Sequence, residues 1–214
     1  TAVISVLLMS AFIIFFIDNS NNRCISVARA SKMLALLESD KTTINSYSDG
    51  NDDRWYYKYM NYCQKNGLTE KDKIKKIYNR AYTYGDLRFY LNSKKISIKD
   101  VEEATDINPE KHKDREYISD ADFKRVYDYF IVKSGNGNVH TEEITILGTN
   151  DTLEGVGKWQ LHTNKGIYYA EGINMDKYVD TLIQVYVRDK EILSVSIKIS
   201  DEIVYENVYF EKGE

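Results

Sequence analysis

The feature that most constrains this chain is a change of hydrophobic period at a single place. Before Ser134-Gly135-Asn136-Gly137-Asn138 the apolar residues recur at helical spacing, and after it they alternate by two. Glycine and asparagine accept backbone angles that end regular structure, so this cluster is the strongest break in the sequence. The expected fold class is α+β, with an all-α helical-repeat domain over 25–133 followed by a small antiparallel β barrel or sandwich over 139–214.

Three helix starts in the first part resemble one another. They are Ile25-Ser26-Val27-Ala28-Arg29, Tyr82-Thr83-Tyr84-Gly85-Asp86 and Ile118-Ser119-Asp120-Ala121-Asp122. In each, a hydroxyl can cap an orphan backbone N–H and the apolar residue before it can staple onto the first turn. Asp86 and Asp122 suit the positive end of a helix macrodipole, whereas Arg29 opposes it, which weakens the first cap unless Arg29 has another task. The hydroxyls are 57 and then 36 residues apart, so the repeat is degenerate. Between the first two starts, Asp52-Asp53-Arg54-Trp55 leads into a helix with Trp55, Tyr59, Tyr62 and Cys63 on one face, ending at Asn66-Gly67.

The second part reads as strands at Glu142–Leu147, Lys158–Thr163 and Ile167–Ala170, then as a hairpin of Leu182–Arg188 with Ile192–Ile199 through Asp189-Lys190-Glu191. A last strand is expected over Ile203–Phe210.

The sequence begins with Thr1 rather than methionine, and Ala2–Ile17 is apolar apart from Ser5 and Ser10. Sixteen helical residues reach about 24 Å, just short of the roughly 30 Å hydrocarbon core. The expectation is an N-terminal transmembrane anchor over 1–17 and a polar linker over 18–24, with the membrane as a partner and the soluble part extracytoplasmic. A cleaved signal segment and a buried core helix are the competing readings.

Composition limits the partners. A net charge of −4 with both signs interspersed lacks the basic footprint of a nucleic-acid binder. Cys24 and Cys63 could form a disulfide in an oxidising compartment or remain separate thiols, and their spacing fits no metal site. His112, His140 and His162 have no Cys or His at ligand spacing, so no metal and no cofactor is expected. No nucleophile elbow, phosphate-binding loop or zinc-protease helix occurs. The adjacent pairs Asp52-Asp53, Glu102-Glu103 and Glu142-Glu143 point in diverging directions and read as solvated surface charge. No catalytic residue is therefore assigned. Trp55, Tyr56 and Tyr57 place rings on several faces of one helix, which makes them candidates for stacking on a sugar.

The helical part resembles a degenerate S-layer-homology region. The order Ile25-Ser26-Val27-Ala28, then Asp49 to Trp55, then Gly67-Leu68 follows that family's repeat, from helix start through an aspartate-rich loop to a second helix. In that family an arginine after the capping hydroxyl helps to hold an acidic wall polymer. Here Val27, Tyr84 and Asp120 occupy that position, leaving Arg29 as the nearby substitute. The whole chain is similar to the N-terminal, non-catalytic part of stage II sporulation protein D-like proteins of anaerobic Gram-positive bacteria. That similarity rests on the apolar run, Ser26–Leu37, Gly157-Lys158-Trp159 and Ser200–Tyr209. It implies a peptidoglycan lytic transglycosylase whose catalytic domain lies beyond Glu214, since the family's glutamate and alanine-rich helix are absent from this sequence. The implied role is a membrane-anchored positioning module in the cell wall. The alternative is a non-enzymatic module binding wall polysaccharide or another envelope protein.

Overall fold

The computed structural model describes residues 24–48, 54–135, 138–153 and 158–200. The chain divides into two compact units, one of residues 1–48 and 57–136, the other of residues 49–56 and 137–214.

The first unit is helical: α1 (Val27–Glu38), α2 (Lys41–Asn45), α3 (Tyr57–Lys65), α4 (Ile74–Ile77), α5 (Tyr84–Ser93), α6 (Ile98–Thr105) and α7 (Asp120–Ser134). Three of these begin alike. The Ser26, Thr83 and Ser119 hydroxyls accept from the backbone N–H of Arg29, Asp86 and Asp122 respectively. Only the second start completes a capping box, because Asp86 accepts in return from the Thr83 backbone. The residues just before the caps, Ile25, Tyr82 and Ile118, are fully buried.

These starts close a ring. Ser26 bridges Ala81, Thr83 bridges Tyr117, and Ser119 bridges Cys24. Each capping residue thus pairs with the residue two positions before the next cap in the cycle. The flanking hydrogen bonds repeat as well. Val27 and Ala28 donate to the Arg80 and Tyr78 carbonyls, as Tyr84 and Gly85 donate to those of Glu116 and Asp114. Three backbone segments that no helix can satisfy are satisfied by one another, which fixes how α1, α5 and α7 are arranged.

Side chains then tie the three helices together. Ten of the twelve residues of α1 are buried, the polar Ser31 and Lys32 among them. The Tyr127 hydroxyl donates to the Met33 carbonyl at 2.9 Å, and the Tyr90 hydroxyl to Glu38 at 2.9 Å. Tyr82 packs edge-on against Phe123, and Tyr90 packs at a tilt against Phe130. The second helix of each of the first two copies ends in a left-handed residue followed by a buried aliphatic, Gly67-Leu68 and Asp106-Ile107.

The second unit contains β1 (His140–Leu153), β2 (Lys158–Thr163), β3 (Gly166–Glu171), β4 (Leu182–Arg188) and β5 (Glu191–Ser200). They close a barrel in the order β1-β2-β3-β5-β4. The long β1 serves two neighbours, pairing with β4 along His140–Thr145 and with β2 from Ile146 onward, with an irregularity at Leu147. The barrel is filled by Ile144, Ile146, Leu161, Tyr168, Ala170, Ile183, Val185, Val187 and Ile192. Trp55 belongs to this unit and packs against Gly172, where any Cβ would collide with the indole ring. With a φ of +73° as well, that position admits only glycine.

Two expectations are corrected. The fold is mixed α+β with seven helices and a five-stranded sheet among the described residues, and none of these helices is long and apolar enough to cross a membrane. The longest, α7, spans 15 residues or about 22 Å and carries charges along its length. The segment 1–17 expected to do so lies outside the described residues, as does the strand expected at 203–210. The sheet is also not wholly antiparallel. β3 and β5 run parallel, because the 3₁₀ turn at Asp176–Tyr178 carries the chain across before β4 and β5 return as a hairpin. Of the two readings open for Cys24 and Cys63, the structure has separate thiols with no disulfide between them. Cys63 is buried with its Sγ donating to the Ser31 carbonyl at 3.4 Å, whereas Cys24 sits exposed at the bridge to Ser119.

Candidate functional site

The residues singled out from the sequence fall in both units, Arg29 and Tyr57 in the helical one, Trp55 and Tyr56 in the other. Arg29 reaches Asp120, with Nη2 and Oδ1 3.9 Å apart, and so links the first and third repeat copies. This contact gives the cation at Arg29 a carboxylate partner where the other copies carry Asp86 and Asp122, although Lys124 is the nearer cation to Asp120. Tyr56 is buried and precedes α3 rather than lying on it. Trp55 is committed to Gly172. Tyr57 opens α3 half-buried. Val27 and Tyr84, at the family's arginine position, are buried too, at 3% and 4% exposure.

The barrel instead presents a surface that the sequence did not single out. Directly opposed residues of antiparallel strands share a face. On β1, β2 and β3 the register aligns Asn150 with Gln160 and Gln160 with Tyr169, while Gly148 meets His162 and His162 meets Ile167. These six residues form two rows on the outer face. Tyr169 and Ile167 are 46% and 44% exposed, large values for apolar side chains on a strand. Gly148 has open space where a Cβ would stand, so one end of that row is bare backbone. The platform therefore joins an aromatic ring, an aliphatic side chain, two carboxamides and an imidazole, with no lysine, arginine, aspartate or glutamate among them. Such a surface can stack on the apolar face of a sugar ring and hydrogen-bond its hydroxyls. These two rows carry no charge to neutralise a phosphate backbone, and the adjoining row on the same face opposes one lysine with one glutamate, Lys158 with Glu171.

A second polar feature lies at one mouth of the barrel. Glu142 has the same strand parity as Ile144 and Ile146, so its carboxylate points along the inner face rather than into solvent. This corrects its reading as solvated surface charge. Tyr168, itself fully buried, donates its hydroxyl to Glu142 at 2.9 Å, and Lys190 donates to the Tyr168 oxygen at 2.7 Å. Lys165 lies 3.4 Å from the other Glu142 oxygen. Burial raises the pKa of Glu142, but the hydrogen bonds from Tyr168 and Lys165 outweigh it and hold the carboxyl below its ordinary value. The hydrogen bond to Tyr168 likewise raises the pKa of Lys190.

Of the other histidines, His140 lies 3.9 Å from Glu142 and His112 sits apart in the helical unit. His112 stacks on Tyr84 with centroids 3.8 Å apart and lies 2.7 Å from Glu116, whose pKa it lowers. Among the described residues no three His, Cys, Asp or Glu side chains are grouped to hold a metal ion.

The closure and strand order resemble those of small Greek-key barrels, a class that includes the oligonucleotide- and oligosaccharide-binding fold, whose ligands lie on the face of strands 2 and 3. Comparison of the chain with known protein families, curated proteins and solved structures gives no match.

Proposed function

We propose that this chain is a non-catalytic, extracytoplasmic positioning module of a peptidoglycan-remodelling protein of the stage II sporulation protein D type, and that its barrel holds wall polysaccharide. The observation that carries the reading is the uncharged platform of Asn150, Gln160, Tyr169, His162 and Ile167. Its chemistry suits neutral sugar rings better than nucleic acid, and a fold of this class uses the corresponding face for oligosaccharides.

The helical unit adds support for the resemblance to S-layer-homology repeats. A capped first helix and a second helix closed by a left-handed residue and a buried aliphatic occur twice, and the capped start a third time. The family's arginine is missing from all three copies, and the positions are filled by two buried side chains and one carboxylate. The helical unit therefore serves as the scaffold, and the barrel as the contact surface.

Co-sedimentation of the chain with purified peptidoglycan tests this. The expected result is retention above that of a control protein, weakened roughly tenfold by Tyr169→Ala, a typical cost for an aromatic anchor. Equal retention of chain and control protein refutes the reading.

A further inference from the structure

The helical unit carries one surface on which cations outnumber carboxylates. From Lys65 to Lys76 the sequence has five lysines, Lys65, Lys71, Lys73, Lys75 and Lys76, against two acids, Glu70 and Asp72. That is a local charge of +3 in a chain of net charge −4, so charge is distributed unevenly along the sequence. All five lysines are exposed.

Local structure gathers them. Ile74 and Ile77, one turn apart on α4, are buried and half-buried, which leaves Lys75 and Lys76 on the outside. Lys65 ends α3, and with Asn61, Gln64, Lys71, Asp72 and Lys73 it lines a hollow of about 540 Å³. Gln64 holds the loop by donating to the Asp72 carbonyl at 3.1 Å, and the Asp72 carboxylate accepts from the Lys73 backbone N–H at 2.6 Å. The lining therefore sets three lysines against one carboxylate, which is already bonded to backbone.

Other lysines of the unit are used differently. Lys94, Lys99, Lys111, Lys124 and Lys133 each lie within 3.5 Å of a carboxylate. Among the described residues Lys65, Lys71, Lys73 and Lys76 form no ion pair, and Lys65 lies over the Tyr47 ring, 5.4 Å from its centroid. The nearby Arg80 is matched by Asp86, so that pair leaves the surplus unchanged.

Such a face fits a polyanion. No aromatic ring lines the hollow, so it has no platform for stacked bases. Its place on the chain selects further. Val27 and Ala28 donate to the Arg80 and Tyr78 carbonyls and Ser26 bridges Ala81, so the segment just after Lys76 lies against the chain's entry into the unit. Six residues separate Cys24 from Ile17, the last of the apolar run, and they span at most about 20 Å. Any bilayer that takes up that run is close to these lysines.

From this we infer that the lysine face docks on a bilayer surface of anionic phospholipid, through its phosphate groups. The inference is independent of the glycan reading of the barrel.

Flotation of the full chain with lipid vesicles tests it. Vesicles of equimolar phosphatidylglycerol and phosphatidylcholine should bind the chain more tightly than vesicles of phosphatidylcholine alone, and the excess should shrink as salt is added. The neutral vesicles supply the baseline for whatever the apolar run contributes. A lysine near an anionic surface contributes about a fivefold factor, so Lys71→Gln should lower the excess affinity by about that much. Changing Lys65, Lys71, Lys73 and Lys76 together to Gln should abolish the excess, whereas changing the same four to Arg should keep it. Lys113→Gln, the same charge change in another exposed loop of the unit, should leave it unchanged. Equal affinity for the two kinds of vesicle overturns the inference, as does an excess that survives the four Gln replacements. Binding to duplex DNA or to a glycerol phosphate polymer, without an excess on the anionic vesicles, overturns it too.

Discussion

Gly85→Ala separates close packing from helix propensity. Gly85 is the second residue of α5, and its backbone is not in the left-handed region, so an alanine meets no conformational barrier there. On propensity alone the substitution should stabilise the helix by up to about 1 kcal/mol. The structure predicts the opposite. An added Cβ would lie 2.7 Å from the Asp114 carbonyl oxygen and 3.2 Å from its Cα, both backbone atoms that cannot rotate away. The same carbonyl accepts from the Gly85 N–H at 3.1 Å, so relief of the clash lengthens that bond. Overpacking costs about 1–3 kcal/mol and a weakened hydrogen bond up to about 1 kcal/mol. After the propensity gain the net loss is about 1–3 kcal/mol. With a urea m-value of roughly 1–3 kcal/mol/M, the midpoint should fall by on the order of 1 M. Urea titration followed by the far-ultraviolet helical circular dichroism reads this directly. An unchanged or higher midpoint would show that the second and third copies are not joined through Gly85 and Asp114.

Two further perturbations address other levels of the structure. Asp86→Ala removes both the carboxylate half of the capping box and the two 2.8 Å contacts with Arg80, and should cost about 1–2 kcal/mol, the ion-pair share shrinking in high salt because Arg80 is partly exposed; the same denaturation assay at two salt concentrations checks it. Glu142 should titrate below its ordinary value of 4.5 in carboxyl-detected NMR. Because its folded pKa is depressed, the stability it contributes is present above the unfolded pKa and is lost as pH falls through the folded one, and Lys165→Met together with Tyr168→Phe should abolish that acid-side loss.

How much of the molecule is legible in the sequence varies with the range of the interaction responsible. The helix starts are legible because Ser26, Thr83 and Ser119 act on their own first turns. Most strand segments are legible because alternation is a local signal, and the turns at 164–165 and 189–190 mark their ends. The ring that joins the copies is not, since Ser26 pairs with Ala81 and Ser119 with Cys24 across long stretches of chain. Trp55 reads as a stacking residue because its partner, Gly172, is more than a hundred positions away. Glu142 is legible in principle: its parity with Ile144 and Ile146 marks an inward carboxylate, and only its adjacency to Glu143 suggests otherwise. The platform is hidden for a different reason. Asn150, Gln160 and Tyr169 come from three strands, and only the register lines them up.

The outer face of β1, β2 and β3 is the surface proposed to contact wall glycan, and titrating the ¹⁵N-labelled chain with soluble peptidoglycan fragments tests it most directly. Saturable shifts are predicted to concentrate at Gly148, Asn150, Gln160, His162, Ile167 and Tyr169, and to be lost in Tyr169→Ala. Saturable shifts confined to the helical unit, or none at all, would contradict the proposal.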